Sequence, residues 1–435
     1  MSPELIGVLA FVVMFMLLAM GMPIGFAMAL VGFAGTAILS GSFGAAMTMF
    51  GYAPFSIIAN YMFGVIPLFV LMGYLAFTSG LTTDAYNAAH KWVGHLPGGL
   101  SMATIFGCTG FAACTGSSAA SVGLVTSTAL PEMERYNYDH KLSTGCIAAG
   151  CTLGILIPPS VPFIVYGLFS ETSIGKLFIA GIFPGILIAS LFIVAIYIQV
   201  RLSPSLGPPG PRASWRERLS VTKDVWSIAL LAILVLGGIW GGIFTPVEAG
   251  GIGAFGAFLI ALFRRRLTVQ RFIEAVKDTV KMAGMLYIIV MGALIFNYAV
   301  ALSRLPALLA SVTIALPVPP MVVVIFIMLF YLIGGCLMEA FGLILLTLPI
   351  FLPIMQALGV DLILFGVLTV IMIEMAEITP PIGINVFILS GMAKHIPIYT
   401  IFRGIVPFLL CLMVGLALIM VFPQIALFLP ATMMG

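Results

Sequence analysis

Apolar residues run through this chain in long blocks separated by short polar punctuation. Segments near 5–20, 23–40, 61–80, 140–158 and 177–200 are predominantly apolar, and the pattern resumes near 225–244, 247–263, 282–301, 360–378 and 404–422. Each approaches the roughly 20 residues that a helix needs to cross a ~30 Å hydrocarbon core. Two further blocks, 99–131 and 319–353, are too long for one simple span, and small or polar residues interrupt each near its middle. In the first, Thr115-Gly116-Ser117-Ser118 divides two short arms. This predicts a helical hairpin that enters the membrane and turns back, with Ser117 or Ser118 capping the second arm. In the second, the break is expected at Gly334-Gly335, with Glu339 opening the second arm. The stretch 201–224, rich in Pro, Gly and Arg, predicts a surface linker.

The two parts flanking that linker repeat one another. Pro23 matches Pro246, Met72-Gly73 matches Met291-Gly292, and Leu96-Pro97 matches Leu316-Pro317. Pro131 then matches Pro353, and Pro158-Pro159 matches Pro380-Pro381. The order is kept throughout, so residues 1–200 and 225–435 are expected to be two copies of one unit. Each would hold scaffold helices, a hairpin (99–131 and 319–353) and a Pro-Pro-broken helix (140–170 and 360–393). Five spans per copy, an odd number, turn the second copy upside down relative to the first.

Composition and charge agree with a membrane setting. Of 435 residues 62% are apolar and only 8% are charged, too few for the surface of a soluble domain. The N-terminal apolar run has no preceding cation and reads as membrane-spanning, not as a cleaved signal. On the topology above, only Lys176 and Arg304 of the 18 cations fall on the side opposite the rest. The positive-inside rule makes the crowded side cytoplasmic, with both chain ends outside. Six cysteines without a CxxC spacing and four scattered histidines speak against a disulfide framework or a transition-metal site. The net charge of +3 points to no nucleic acid. A hydrolase would need an activated nucleophile, but no His or Lys lies near Ser117 or Ser118, and TGSSAAS is not GxSxG.

The Pro-Pro pairs carry the functional argument. Proline has no N–H, so Pro158 and Pro159 deprive the Gly154 and Ile155 carbonyls of their helical donors. Pro380 and Pro381 do the same for Ala376 and Glu377. Irregular backbone at membrane depth persists only where protein or a wet cavity satisfies it, and paired broken helices mark a secondary transporter's binding site. Such carbonyls suit a hard cation such as sodium. The candidate sodium set is Thr115, Gly116, Ser117, Ser118, Gly154, Ile155 and Pro158, with Gly335, Glu339, Ala376, Glu377 and Thr379. Ser118, Pro159, Ser160, Pro381 and Asn385 are the candidate substrate contacts. No Lys, Arg or His occupies the centre of these elements. An anionic substrate would be held by helix ends, hydroxyls, Asn385 and bound cations. Intramembrane Glu248, Glu339, Glu374 and Glu377 either ligate sodium, accept a proton or cap a helix end.

The motifs TGSSAA (115–120), LIPPSVPFIVYG with SIGKLFIAGIFPG (156–185), TPVEAGGIGAFGA (245–257), EAFGLILLTLPIFLPI (339–354) and EITPPIGINVF (377–387) occur in this order. Together they resemble the large membrane subunit of tripartite ATP-independent periplasmic (TRAP) transporters over nearly the whole chain. Thr115, Ala376 and the ERYNYD run at 134–139 depart from that pattern. The resemblance implies an all-α, elevator-type fold in the bacterial inner membrane, with hairpins and broken helices moving against a scaffold. It implies sodium-coupled uptake of a small organic anion, a carboxylate such as a C4-dicarboxylate or sialic acid, without a cofactor. It also implies two partners: a small four-helix membrane subunit, expected as a separate chain, and a periplasmic substrate-binding protein. A stand-alone sodium-dependent carboxylate carrier of related fold is the alternative.

Overall fold

The structure, a computed structural model, describes residues 1–115 and 118–433; for residues 82, 111–115 and 120 it describes the backbone alone. Among the described residues every regular element is a helix. The first part contains α1 (Pro3–Ala19), α2 (Ile24–Ser40), α3 (Phe43–Ala59), α4 (Val65–Thr78) and α5 (Leu81–Val93). It continues with α6 (Gly99–Thr115), α7 (Ser118–Arg135), α8 (His140–Leu156), α9 (Val161–Ser170) and α10 (Ile174–Leu202). The second opens with α11 (Trp215–Ala232), which a π turn (Ile233–Gly237) joins to the short α12 (Gly238–Trp240). Then come α13 (Pro246–Phe263), α14 (Val269–Leu302), α15 (Leu305–Ala315), α16 (Pro320–Leu337) and α17 (Ala340–Ala357). The chain closes with α18 (Leu362–Ala376), α19 (Ile384–Met392), α20 (Ile398–Val421) and α21 (Gln424–Ala431). Nine helices or continuous helical runs among the described residues are long and apolar enough to cross a membrane.

The elements recur in order. A shift of 222 residues, the separation of Thr152 and Glu374, carries α7 onto α17, and α8 and α9 onto α18 and α19 within two residues at each end. Packing between the parts is reciprocal. Helix α2 lies on α14 while α4 lies on α13; α8 lies on α20 while α10 lies on α18; α7 lies on α19 while α9 lies on α17. In each case the second contact is the first with the copies exchanged, which is what a two-fold relation produces. Close backbone approach needs small residues. A β-carbon on Gly145 would run into the Gly404 carbonyl, and one on Gly404 into the Lys141 carbonyl, so α8 and α20 touch through glycine.

The broken helices form the centre. Every residue of α8 from Leu142 to Leu156 is buried, as is every residue of α18 from Leu364 to Ala376. Three features depart from the sequence expectations. Helix α3 was not expected, because Gly51 and Pro54 cut its apolar run into short words. Asn60 then ends α3, accepting the Met62 N–H at 2.9 Å, whereas the matching stretch of the second part continues through α14. The second hairpin does not break at Gly334-Gly335: α16 runs to Leu337, and the irregular residues are Met338 and Glu339. Glycine here serves contact, since β-carbons at 334 and 335 would meet Leu343 and Ala376.

The linker is also more than a surface strap. Gly98 N–H donates to the Gly207 carbonyl at 2.8 Å, Gly210 N–H to Gly94 at 2.9 Å and Asp139 N–H to Leu206 at 3.0 Å. It is thereby seated against the base of the first hairpin. There the buried Tyr138 hydroxyl accepts the Leu100 N–H at 3.1 Å, and burial pushes its phenol up to about 12.

Candidate functional site

The two helix breaks follow the ends of α8 and α18, which pack against each other. At that crossing Thr152 Oγ1 lies 2.6 Å from Glu374 Oε1, and both residues are fully buried. Glu374 Oε2 has no partner among the described residues.

The first break, 157–160, arises because Pro158 and Pro159 cannot continue α8. Ser160 closes it from both sides. Its hydroxyl donates to the Ile155 carbonyl and accepts from the Phe163 N–H at 3.4 Å, capping α9. The Ile155 carbonyl is therefore not bare, although one lone pair remains free. Pro158 offers no N–H to the Gly154 carbonyl. Pro158, Pro159 and Ser160 are all buried.

The second break, 377–383, is more open, with Pro380, Pro381 and Ile382 exposed. Thr379 N–H reaches the Ala376 carbonyl at 3.1 Å and Asn385 N–H reaches the Glu377 carbonyl at 3.1 Å. Gly383, at φ +62, supplies the left-handed residue that starts α19. The Thr379 hydroxyl turns away to the Met375 carbonyl at 2.6 Å. Cys336, near the end of α16, points its sulfur at the carbonyls of Ala376 (3.8 Å), Thr379 (3.7 Å) and Pro380 (3.8 Å). Three carbonyl oxygens thus converge beside the second tip. Both amide atoms of the fully buried Asn385 side chain lack a partner among the described residues, as does Glu377 Oε2.

The start of α7 and the end of α16 both lie near the second break. Of the candidates Thr115 to Ser118, only Ser118 has its side chain among the described residues, and it lies within reach of the Glu377 carboxyl in the other copy's break. The Thr115 side chain, Gly116 and Ser117 lie outside the described residues. Glu339 stands exposed at the second tip as the residue before α17, makes no side-chain cap, and lies within electrostatic reach of Glu377. Gly335 contacts Ala376 so closely that a β-carbon would sit 2.7 Å from its Cβ. Gly335 and Cys336 thus pack against Ala376 and the carbonyls that follow it. Glu248 stands apart, in a capping box with Thr245 at the start of α13.

Two contributors escaped the sequence reading. Thr152 carried a usable signal, since shifting Glu374 back by 222 residues lands on it. Cys336 carried none, because its role depends on where the break carbonyls point. No group of three His, Cys, Asp or Glu among the described residues fits a metal ion.

A membrane-embedded helical protein with paired hairpins and paired broken helices around one buried crossing is built as a transporter. The family described as the tripartite ATP-independent periplasmic transporter, DctM component, matches residues 11–425. The sialic acid TRAP transporter large permease protein SiaM of Vibrio cholerae is 35% identical over 423 residues, 96% of this chain and 97% of that protein. The C4-dicarboxylate TRAP transporter large permease protein DctM of Pseudomonas aeruginosa is 37% identical over 373 residues, 85% and 86% of the two chains. The solved structure of the YdaH transporter of Alcanivorax borkumensis shares the fold, with a TM-score of 0.66 at 16% identity, covering 91% of this chain and 96% of that one. This chain belongs to the DctM family of TRAP transporter large permeases. It is a multi-pass transport protein of the bacterial inner membrane, not an enzyme.

Proposed function

We propose that this permease couples sodium entry to uptake of a small organic anion handed over by a periplasmic binding protein, with a small membrane subunit completing its scaffold. The observation that carries the reading is the convergence of the Ala376, Thr379 and Pro380 carbonyls beside Cys336 at the second tip. Neutral oxygen donors gathered at a helix break suit a hard, weakly charged cation, and the Glu377 and Glu339 carboxyls stand nearby. The buried Asn385 amide, with acceptor and donors both unused, suits a carboxylate-bearing substrate held beside that cation. Relatives named for sialic acid and C4-dicarboxylates support an organic acid as the substrate class.

The reciprocal packing of the two parts supports the inverted arrangement of 1–200 and 225–435, with 201–224 as a cytoplasmic linker. Movement of α6 to α9 and α16 to α19 as one body past the remaining helices would carry the site across the membrane. Family membership favours the tripartite assembly over the stand-alone carrier. Proteoliposomes containing this chain, with its small subunit and binding protein supplied or withheld, test the reading. Uptake is expected only with an inward sodium gradient and all three components. Equal uptake with a proton gradient in sodium-free buffer would contradict the coupling, and uptake by this chain alone would favour the stand-alone carrier.

A further inference from the structure

The turn between α13 and α14 holds Arg264, Arg265 and Arg266, and Arg271 follows in the first turn of α14. Two of these four are engaged by the protein. Arg264 grips the Asp84 carboxylate and the Asp224 carbonyl. Arg266 reaches Asp84 at 3.0 Å and the Ser79 carbonyl at 3.1 Å. Asp84, on α5, is thereby neutralised and the turn is fixed in place. The other two are left over. Arg265, held at φ 54, is exposed and takes part in no ion pair among the described residues. Arg271 gives one hydrogen bond, to the Arg266 carbonyl at 2.9 Å, leaving most of its five N–H donors unused.

Arg266 and Arg271 line a cavity of about 580 Å³ with Thr78, Thr83 and Asn87, which offer further hydrogen bonds. Asp84 and Glu274 also border it, and Arg264 and Arg265 stand in the same turn outside its lining. Apolar side chains stand exposed on both sides of the turn, Phe263 at 80% and Val269 at 78%. A soluble anion would leave these bare. A phospholipid covers them with its chains while its phosphate meets the arginines, and the end of a membrane-spanning helix is the depth at which phosphates lie.

We propose that this turn is a binding site for the phosphate headgroup of an anionic phospholipid of the same leaflet. Because Asp84 joins the turn to α5, and α5 leads into the first hairpin, a lipid seated here braces that connection. The site is distinct from the transport site and does not depend on which substrate or ion is carried.

The test uses the purified full chain in detergent, titrated with phosphatidylglycerol, phosphatidylcholine or glycerol 3-phosphate while thermal stability is followed. The variant R265Q/R271Q removes the two arginines that form no ion pair and keeps both arginines of the Asp84 clamp. R212Q/R216Q removes the same charge from the exposed linker. Phosphatidylglycerol is expected to raise the melting temperature of the wild type and R212Q/R216Q more than phosphatidylcholine does. In R265Q/R271Q its apparent affinity should fall roughly 30-fold, at about 1 kcal/mol per arginine near an anionic surface. An unchanged phosphatidylglycerol response in R265Q/R271Q, or an equal loss in R212Q/R216Q, overturns the site. An equal response to glycerol 3-phosphate overturns the lipid as its ligand.

Discussion

Thr152 and Glu374 meet side chain to side chain at 2.6 Å, fully buried, and they stand 222 residues apart, each the other's counterpart in the repeat. In a two-fold arrangement a residue touches its own counterpart only on the axis. The crossing of α8 and α18 is therefore the point about which the two copies are arranged, and it is tied by a polar bond in an apolar core. Thr152→Val keeps the shape and removes the hydroxyl, leaving Glu374 Oε1 unpaired. The expected cost is about 1–3 kcal/mol. Glu374→Gln, which can still bond Thr152, should cost less. Melting curves of the two variants decide this; equal stability of Thr152→Val and the wild type would remove the bond from any structural role.

A second prediction concerns the clamp on α5. Asp84→Asn leaves Arg264 and Arg266 without their carboxylate, and roughly 1–3 kcal/mol should be lost, limited by the partial exposure of Arg266. Arg266→Gln should cost less, because Arg264 remains on Asp84. A larger loss from Arg266→Gln than from Asp84→Asn would reverse the assignment of Asp84 as the hub.

The base of the first hairpin gives a third. Leu100 N–H belongs to the first turn of α6, where helical partners are absent, and the Tyr138 hydroxyl fills that place. Tyr138→Phe should destabilise the protein by about 1–2 kcal/mol and speed amide exchange at residues 100–104 selectively. Unchanged exchange there would show that the hydroxyl is dispensable.

Much of this architecture was legible in the sequence because its markers are chemically unusual. A Pro-Pro pair in an apolar run leaves few alternatives to a broken helix, and the ordered prolines gave the register of the repeat. The second tip was misplaced because Gly334-Gly335 carries two meanings. In water such a pair ends helices; between buried helices it lets α16 approach Ala376 and Leu343. Helices α3, α5 and α15 were missed because they are short or interrupted, so a membrane-length window does not register them. The contact of Ser118 with Glu377 was not legible at all. It follows from how the copies face one another, which no local pattern encodes.

Sidedness yields the next prediction. In a cysteine-free background, a cysteine at position 212 should react with a membrane-impermeant maleimide only after the cells are opened, whereas one at position 2 should react in intact cells. Labelling of position 212 from outside would invert the topology argued from the cations.

The central claim is that the helix breaks exist to present carbonyl oxygen to sodium. Replacing Pro380 and Pro381 together by Ala supplies the missing N–H groups and lets α18 continue, so the carbonyls near Cys336 turn into helical hydrogen bonds. The decisive measurement is the sodium-induced rise in melting temperature of P380A/P381A beside the wild type, with potassium as the control. The account predicts a rise in the wild type with sodium alone, and its loss in a variant that folds with equal or greater stability in sodium-free buffer. An undiminished sodium-induced rise in P380A/P381A would contradict it.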